Sequence, residues 1–340
     1  MKKIIILLLI GTAFSCKNTQ SVTSKDNSDP SKYIEFISEK DLKTMLYVVA
    51  SDEMEGRETG SKGQKKAGLY MIEQYKKSGI SFPKGATDYY QHIPASFLNA
   101  RRNENLPDSE NIWAYIEGSE KPDEVLVISA HYDHVGIKKG EIYNGADDDG
   151  SGTVAVIEMA KAFAKAKKDG HGPKRSILFL HVTGEEHGLH GSRYYSENPL
   201  FPIANTITDI NIDMIGRRDV DHAKTNNYVY VIGADRLSTD LHNIVVAQNE
   251  KYTKIDLDFK FNDPKDPNHF YERSDHYNFA KYGIPAVFFF NGVHEDYHGK
   301  GDEPQKIEYD ALTKRTKLAF AIAWDLANRE NRPVVDKPIK

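Results

Sequence analysis

Four short apolar runs in the chain each end at a residue able to bind a metal, and this repeated placement restricts the fold more than any single motif. Val125 to Ala130 leads into His131, Ile177 to Val182 into Glu185-Glu186, Ile207 to Ile212 into Asp213, and Ala286 to Phe290 towards His298. Runs this short and this rich in Val, Ile, Leu and Phe read as strands buried on both faces of a mostly parallel sheet. In open α/β sheets, ligands gather outside the carboxyl ends of the strands. Asp148, in the turn-rich stretch Gly145 to Gly152 before a helix-like segment, can face the same rim. The expected fold is α/β, a mostly parallel mixed central sheet flanked by helices, and the expected site is that of a metal hydrolase.

The amino terminus has a different character. Lys2-Lys3, the apolar stretch Ile4 to Leu9 and the small residues before Cys16 form a secretory signal, too short to span a bilayer. Ala13-Phe14-Ser15-Cys16 is similar to a bacterial lipoprotein signal, with Phe14 unusual for one, so lipid anchoring at Cys16 and plain secretion to the periplasm or beyond both stay open. Cys16 is the only cysteine, which excludes an internal disulfide and a thiolate zinc site. A net charge of −5 offers no electrostatic case for nucleic acid.

Residues 17 to 32 are polar and lack apolar periodicity, as a flexible tether does. Helical spacing then marks Leu42 to Val49, Ala67 to Lys77, Thr153 to Lys168 and Asp310 to Asn328, and a strand is expected over Asn111 to Ile116. With no internal repeat and no second linker, residues 33–328 read as one domain, followed by a tail over 329–340.

His294-Glu295-Asp296-Tyr297-His298 matches the HExxH zinc-peptidase pattern. That pattern requires a helix, which places both imidazoles on one face. Here Gly292, Gly299, Gly301 and Pro304 surround it and leave no room for one. The helical reading is therefore refused: His298 is kept as a ligand, and His294 is taken as a solvated loop residue.

The remaining set, His131, Asp148, Glu186, Asp213 and His298, offers imidazoles and carboxylates, a mixture suited to zinc, with cobalt or manganese as substitutes. A pair of adjacent metals needs a bridging carboxylate, and Asp148 at its turn is the natural one. His131 and Asp213 would then serve one metal and Glu186 and His298 the other. Side chains of consecutive residues on extended backbone point in opposite directions, so Glu185 is free to face substrate as a general base. Asp133 is a candidate partner orienting the His131 imidazole. Arg273 could hold a substrate carboxylate or form an ordinary salt bridge. Asp275-His276 could serve structure or catalysis, and His181 reads as a core histidine.

Taken in order, Ser129-Ala130-His131-Tyr132-Asp133, Gly145 to Gly152, Thr183-Gly184-Glu185-Glu186, Asn211-Ile212-Asp213-Met214, Ser274-Asp275-His276 and Asp296-Tyr297-His298 with Asp302 resemble the co-catalytic di-zinc aminopeptidases. That family also contains glutamate carboxypeptidase and glutaminyl cyclase. The resemblance implies a zinc-exopeptidase-like three-layer sandwich, two Zn2+ ions on the five residues above, Glu185 as base, a cis peptide at Asp148-Asp149, and Tyr271 as a phenol that stabilises the oxyanion. It implies peptide substrates cleaved at the amino terminus. Glutaminyl cyclisation, carboxypeptidase action and a metal-free binding module are the alternatives.

Overall fold

The sheet is built from the alternation that the apolar runs carry. The computed structural model describes residues 29–102 and 104–339; the signal-like segment, Cys16 and most of the tether lie outside the described residues. Eight strands form the sheet: β1 (Tyr90–Ile93), β2 (Ser109–Ile116), β3 (Lys121–His131), β4 (Arg175–Val182), β5 (Thr206–Ile212), β6 (Tyr228–Ile232), β7 (Asp256–Asp258) and β8 (Ala286–Phe290). Their order across the sheet is β1-β2-β4-β3-β5-β8-β6-β7. β4, β3, β5 and β8 run parallel to one another in the middle. β2 joins β4, and β6 joins β8, in antiparallel fashion.

The four central strands are the four apolar runs, so their carboxyl ends share one rim. Register brings them level, with His131 opposite Val182, Ser129 opposite Asn211, and Phe289 opposite Ile212. Along β3, Leu126, Ile128 and Ala130 enter one core while Val125 and Val127 enter another on the opposite face.

The main helices are α1 (Glu39–Val49), α2 (Lys62–Lys77), α3 (Gly152–Lys168), α4 (His190–Glu197), α5 (Thr239–Gln248), α6 (His276–Ala280) and α7 (Tyr309–Asn328). α1, α2, α3 and α7 cover one face of the sheet. Tyr195 of α4 and Phe279 of α6 pack into the core on the other. α1 starts where Ser38 caps the Asp41 N–H at 3.1 Å, with Glu39 and Asp41 in its first turn. It buries Leu42, Met45, Leu46 and Val49. Among the described residues no helix is long and apolar enough to cross a membrane.

The segments flanking residues 33–328 pack against the domain. A short helix, Ser31–Ile34, occupies the end of the tether, because Lys32 Nζ reaches Asp169 at 2.7 Å and Tyr33 stacks on Trp324. The tail lies against the body: Arg175 donates to the Glu330 carbonyl at 2.9 Å, and Asp336 accepts the Thr239 N–H at 2.9 Å.

Candidate metal centre

Asp148 stands between two groups of side chains. Its Oδ1 is 3.2 Å from His131 Nε2, which lies 3.5 Å from Asp213 Oδ1. Its Oδ2 is 3.1 Å from His298 Nε2, which lies 2.9 Å from Glu186 Oε2. His131 closes β3, Asp213 follows β5, and the two glutamates follow β4, while Asp148 comes from the turn leading into α3. The Asp148-Asp149 peptide is cis. Gly145, with φ at +55°, lets this turn fold back, since a Cβ there would collide with the Asp148 carbonyl and the His134 ring.

The donor atoms fit a metal better than they fit each other. His131 Nε2, His134 Nδ1, Asp148 Oδ2 and Glu186 Oε1 are buried without a partner in hydrogen-bond geometry. Buried ionisable groups left so carry a desolvation cost unless they are paired or coordinate a metal. Among the described residues, ligand atoms of His131, Asp148 and Asp213 lie within 4.8 Å of one another, as do those of His134, Asp148 and Glu186. Imidazole and carboxylate donors without thiolate suit zinc.

His134, three residues beyond His131, reads from the sequence as a loop residue or as a group supporting the ligands, and the structure places it in the second role. It is fully buried, with Nδ1 2.8 Å from Glu186 Oε1 and 3.8 Å from Asp148 Oδ2. A second imidazole just beyond a strand end that already carries His131 was the available signal.

The surroundings hold these side chains in place. His131 Nδ1 meets the main-chain carbonyl of Asp133 at 3.1 Å, whereas the nearer Asp133 carboxylate oxygen is 3.8 Å away. The orienting group is thus the carbonyl, and the carboxylate is turned towards Glu185. Ser274 Oγ donates to Asp213 Oδ2 at 2.6 Å and accepts from Asn211 Nδ2 at 2.7 Å. Asp302 accepts the N–H groups of Asp147 and Asp148, each at 3.0 Å. Asp149 caps Gly152 at 2.8 Å and also accepts the Met214 N–H at 3.1 Å. Arg57, fully buried, donates to the carbonyls of Tyr132, Val49, Asn144 and Gly145.

Three expectations change. His294 is buried, not solvated, and its Nε2 lies 3.2 Å from Asp147 Oδ2. Tyr271 does not reach the cavity beside the metal centre: the Arg236 guanidinium lies 4.4 Å from its ring centre, and its ring sits against His276 and Tyr277. Tyr297 lines that cavity instead, stacked on His298 at 3.9 Å. Among the described residues Arg273 forms no salt bridge; its guanidinium lies 4.8 Å from the Phe270 ring.

Consecutive glutamates occupy opposite electrostatic settings. Burial, reinforced by Asp213 and Glu186, pushes Glu185 well above the usual carboxylate range. Glu186 is held down to about 2: burial and Asp148 act the other way but are outweighed by His134 and His298. Burial and the carboxylates of Asp148, Glu185, Glu186 and Asp213 keep the Tyr297 phenol protonated.

Residues 111–323 match the family described as Peptidase family M28. The chain belongs to peptidase family M28. A probable zinc metalloprotease of Pyrenophora tritici-repentis (strain Pt-1C-BFP) is 26% identical over 271 residues, covering 66% of this chain and 52% of the relative. The chain spans about half the length of the first curated relatives it matches. The fold is shared with the Legionella pneumophila LapA aminopeptidase, at TM-score 0.68 and 20% identity over 97% of this chain and 81% of that one. It is shared also with Porphyromonas gingivalis glutaminyl cyclase, at TM-score 0.63 and 17% identity over 84% and 97%. The three imidazoles that face the Asp148 carboxylate, His131, His134 and His298, lie inside the matched segment.

Proposed function

We propose that this M28 chain is an exported zinc-dependent aminopeptidase that removes amino-terminal residues from peptides, borne by one domain over residues 33–328. A signal ending at Cys16, with lipidation of that cysteine, would place it at a membrane surface. The observation that supports the reading most is the division of the Asp148 carboxylate, with Oδ1 towards His131 and Oδ2 towards His298. In this reading His131 and Asp213 hold one zinc, Glu186 and His298 the other, and Asp148 is shared. Bound there, zinc supplies polarisation of the substrate carbonyl and a lowered pKa for the attacking water.

The protein's own groups do the rest. Glu185 lines the cavity beside Asp148 and Asp213; it accepts the proton of the attacking water and returns it to the leaving amine. Tyr297, kept neutral, donates to the oxygen that becomes negative. Ser274 and Asp133 fix Asp213 and the Glu185 backbone from behind.

Zinc-loaded protein is expected to hydrolyse aminoacyl-nitroanilides, and to lose this with a chelator and in Glu185→Ala while circular dichroism stays native. Unchanged turnover in Glu185→Ala sinks the mechanism. Because a glutaminyl cyclase shares the fold, a peptide beginning with glutamine is the control: ammonia release without cleavage would replace the aminopeptidase reading. Equal cleavage of amino-blocked peptides would point to carboxypeptidase or endopeptidase action.

A further inference from the structure

Two cavities meet at Glu185, Arg273 and Tyr297. The first lies between the metal-centre carboxylates and a wall that includes Phe270, Phe288 and Phe290. The second opens past Glu186 and His298 and is bordered by Arg101, Arg102, Arg273 and Lys281. Outside the metal centre, Glu272 is the one carboxylate among the described residues on that border. A chain with net charge −5 has thus gathered four cations at one opening.

These cations are not neutralised from within. Among the described residues, none of the three arginines has an ion-pair partner, and Lys281 Nζ donates only to the neutral Asn278 Oδ1, at 2.7 Å. Burial depresses the Lys281 amine most, and Arg101 and Arg193 add to this while Glu197 offsets part of it.

In the aminopeptidase reading the amino-terminal residue sits at the cavity beside Glu185, whose far wall is aromatic. The remainder of the peptide must then leave by the shared edge, into the open cleft. We infer that Arg101, Arg102, Arg273 and Lys281 bind a carboxylate of the substrate on the leaving-group side of the scissile bond. This rests on the aminopeptidase reading. The carboxylate can come from an acidic side chain in the next residues or from the carboxyl terminus of a short peptide.

The test compares kcat/KM for three peptides: leucyl-glutaminyl-alanine amide, leucyl-glutamyl-alanine amide, and leucyl-glutaminyl-alanine as the free acid. At least one acidic peptide should exceed the neutral amide by about fivefold or more, as uncompensated charge at an interface allows. Which one does so identifies the source. The advantage should shrink at about 0.5 M salt and approach unity in Arg101→Ala/Arg102→Ala and in Arg273→Ala. The ratio is taken within each protein, so a general loss of turnover cancels. Equal values for all three peptides in the wild type, or an advantage untouched by both variants, overturns the inference while the aminopeptidase reading stands. No cleavage of any peptide or nitroanilide by the zinc-loaded wild type overturns that reading, and the inference falls with it.

Discussion

Oδ1 of Asp133 accepts the backbone N–H of Glu185 at 3.2 Å, while its Oδ2 accepts from Thr59 Oγ1 at 2.9 Å. The carboxylate therefore anchors the segment that carries the proposed base. Asp133→Ala should lower kcat by about 10–100-fold, the usual range for a lost supporting hydrogen bond at a metal site, with KM and zinc content changing less. Asp133→Asn retains an acceptor for the Glu185 N–H and should recover part of the loss. Kinetics paired with a zinc count would check this; a loss of zinc equal in both variants would place the role of Asp133 in metal binding instead.

The His134 imidazole, close to Glu186 Oε1 and fully buried, should matter for metal retention. His134→Ala is expected to weaken zinc binding by about 10–100-fold, measured by competition with a chromophoric chelator. Wild-type affinity in that variant would show that Glu186 needs no help from this side.

Arg57 ties the ends of two site loops together through four carbonyl oxygens. Arg57→Met leaves those acceptors buried and unpaired, at a cost of about 1–3 kcal/mol for each that finds no new partner. Urea unfolding should show a loss of about 3 kcal/mol or more. Arg57→Lys, without the planar fork, should restore only a fraction.

Stability in acid should carry the signature of His181. This ring is buried against the Tyr75 hydroxyl, at 2.5 Å, and desolvation lowers its pKa to about 3. Between about 6.5, the value of an unfolded histidine, and 3, the unfolded chain binds a proton that the native state refuses. Stability from this group is therefore complete above that window and falls as pH drops through it, by about 1.4 kcal/mol per unit. Urea melts of wild type and His181→Asn at pH 7, 6 and 5 isolate the term: the wild type should lose more on acidification, and parallel losses would contradict it.

Much of this arrangement was legible in the sequence because strand burial has a short period. Runs such as Val125 to Ala130 and Ile207 to Ile212 can satisfy both faces only inside a covered sheet, and parallel connections then force their ends onto one rim. The position of His131 at a strand end follows from that logic, and the turn at Asp148 and the refusal of a helix at His294 follow from the glycines and proline around them. Loops carry no such periodicity. Tyr271 and Tyr297 are both tyrosines in polar segments, yet packing against Arg236 turns one aside while stacking on His298 keeps the other in the cavity. The burial of His294 and His134, the turning of the Asp133 carboxylate towards Glu185, and the gathering of Arg101 with Arg273 join residues far apart in the chain. Such contacts depend on how separate loops meet in space, and only the tertiary packing decides them.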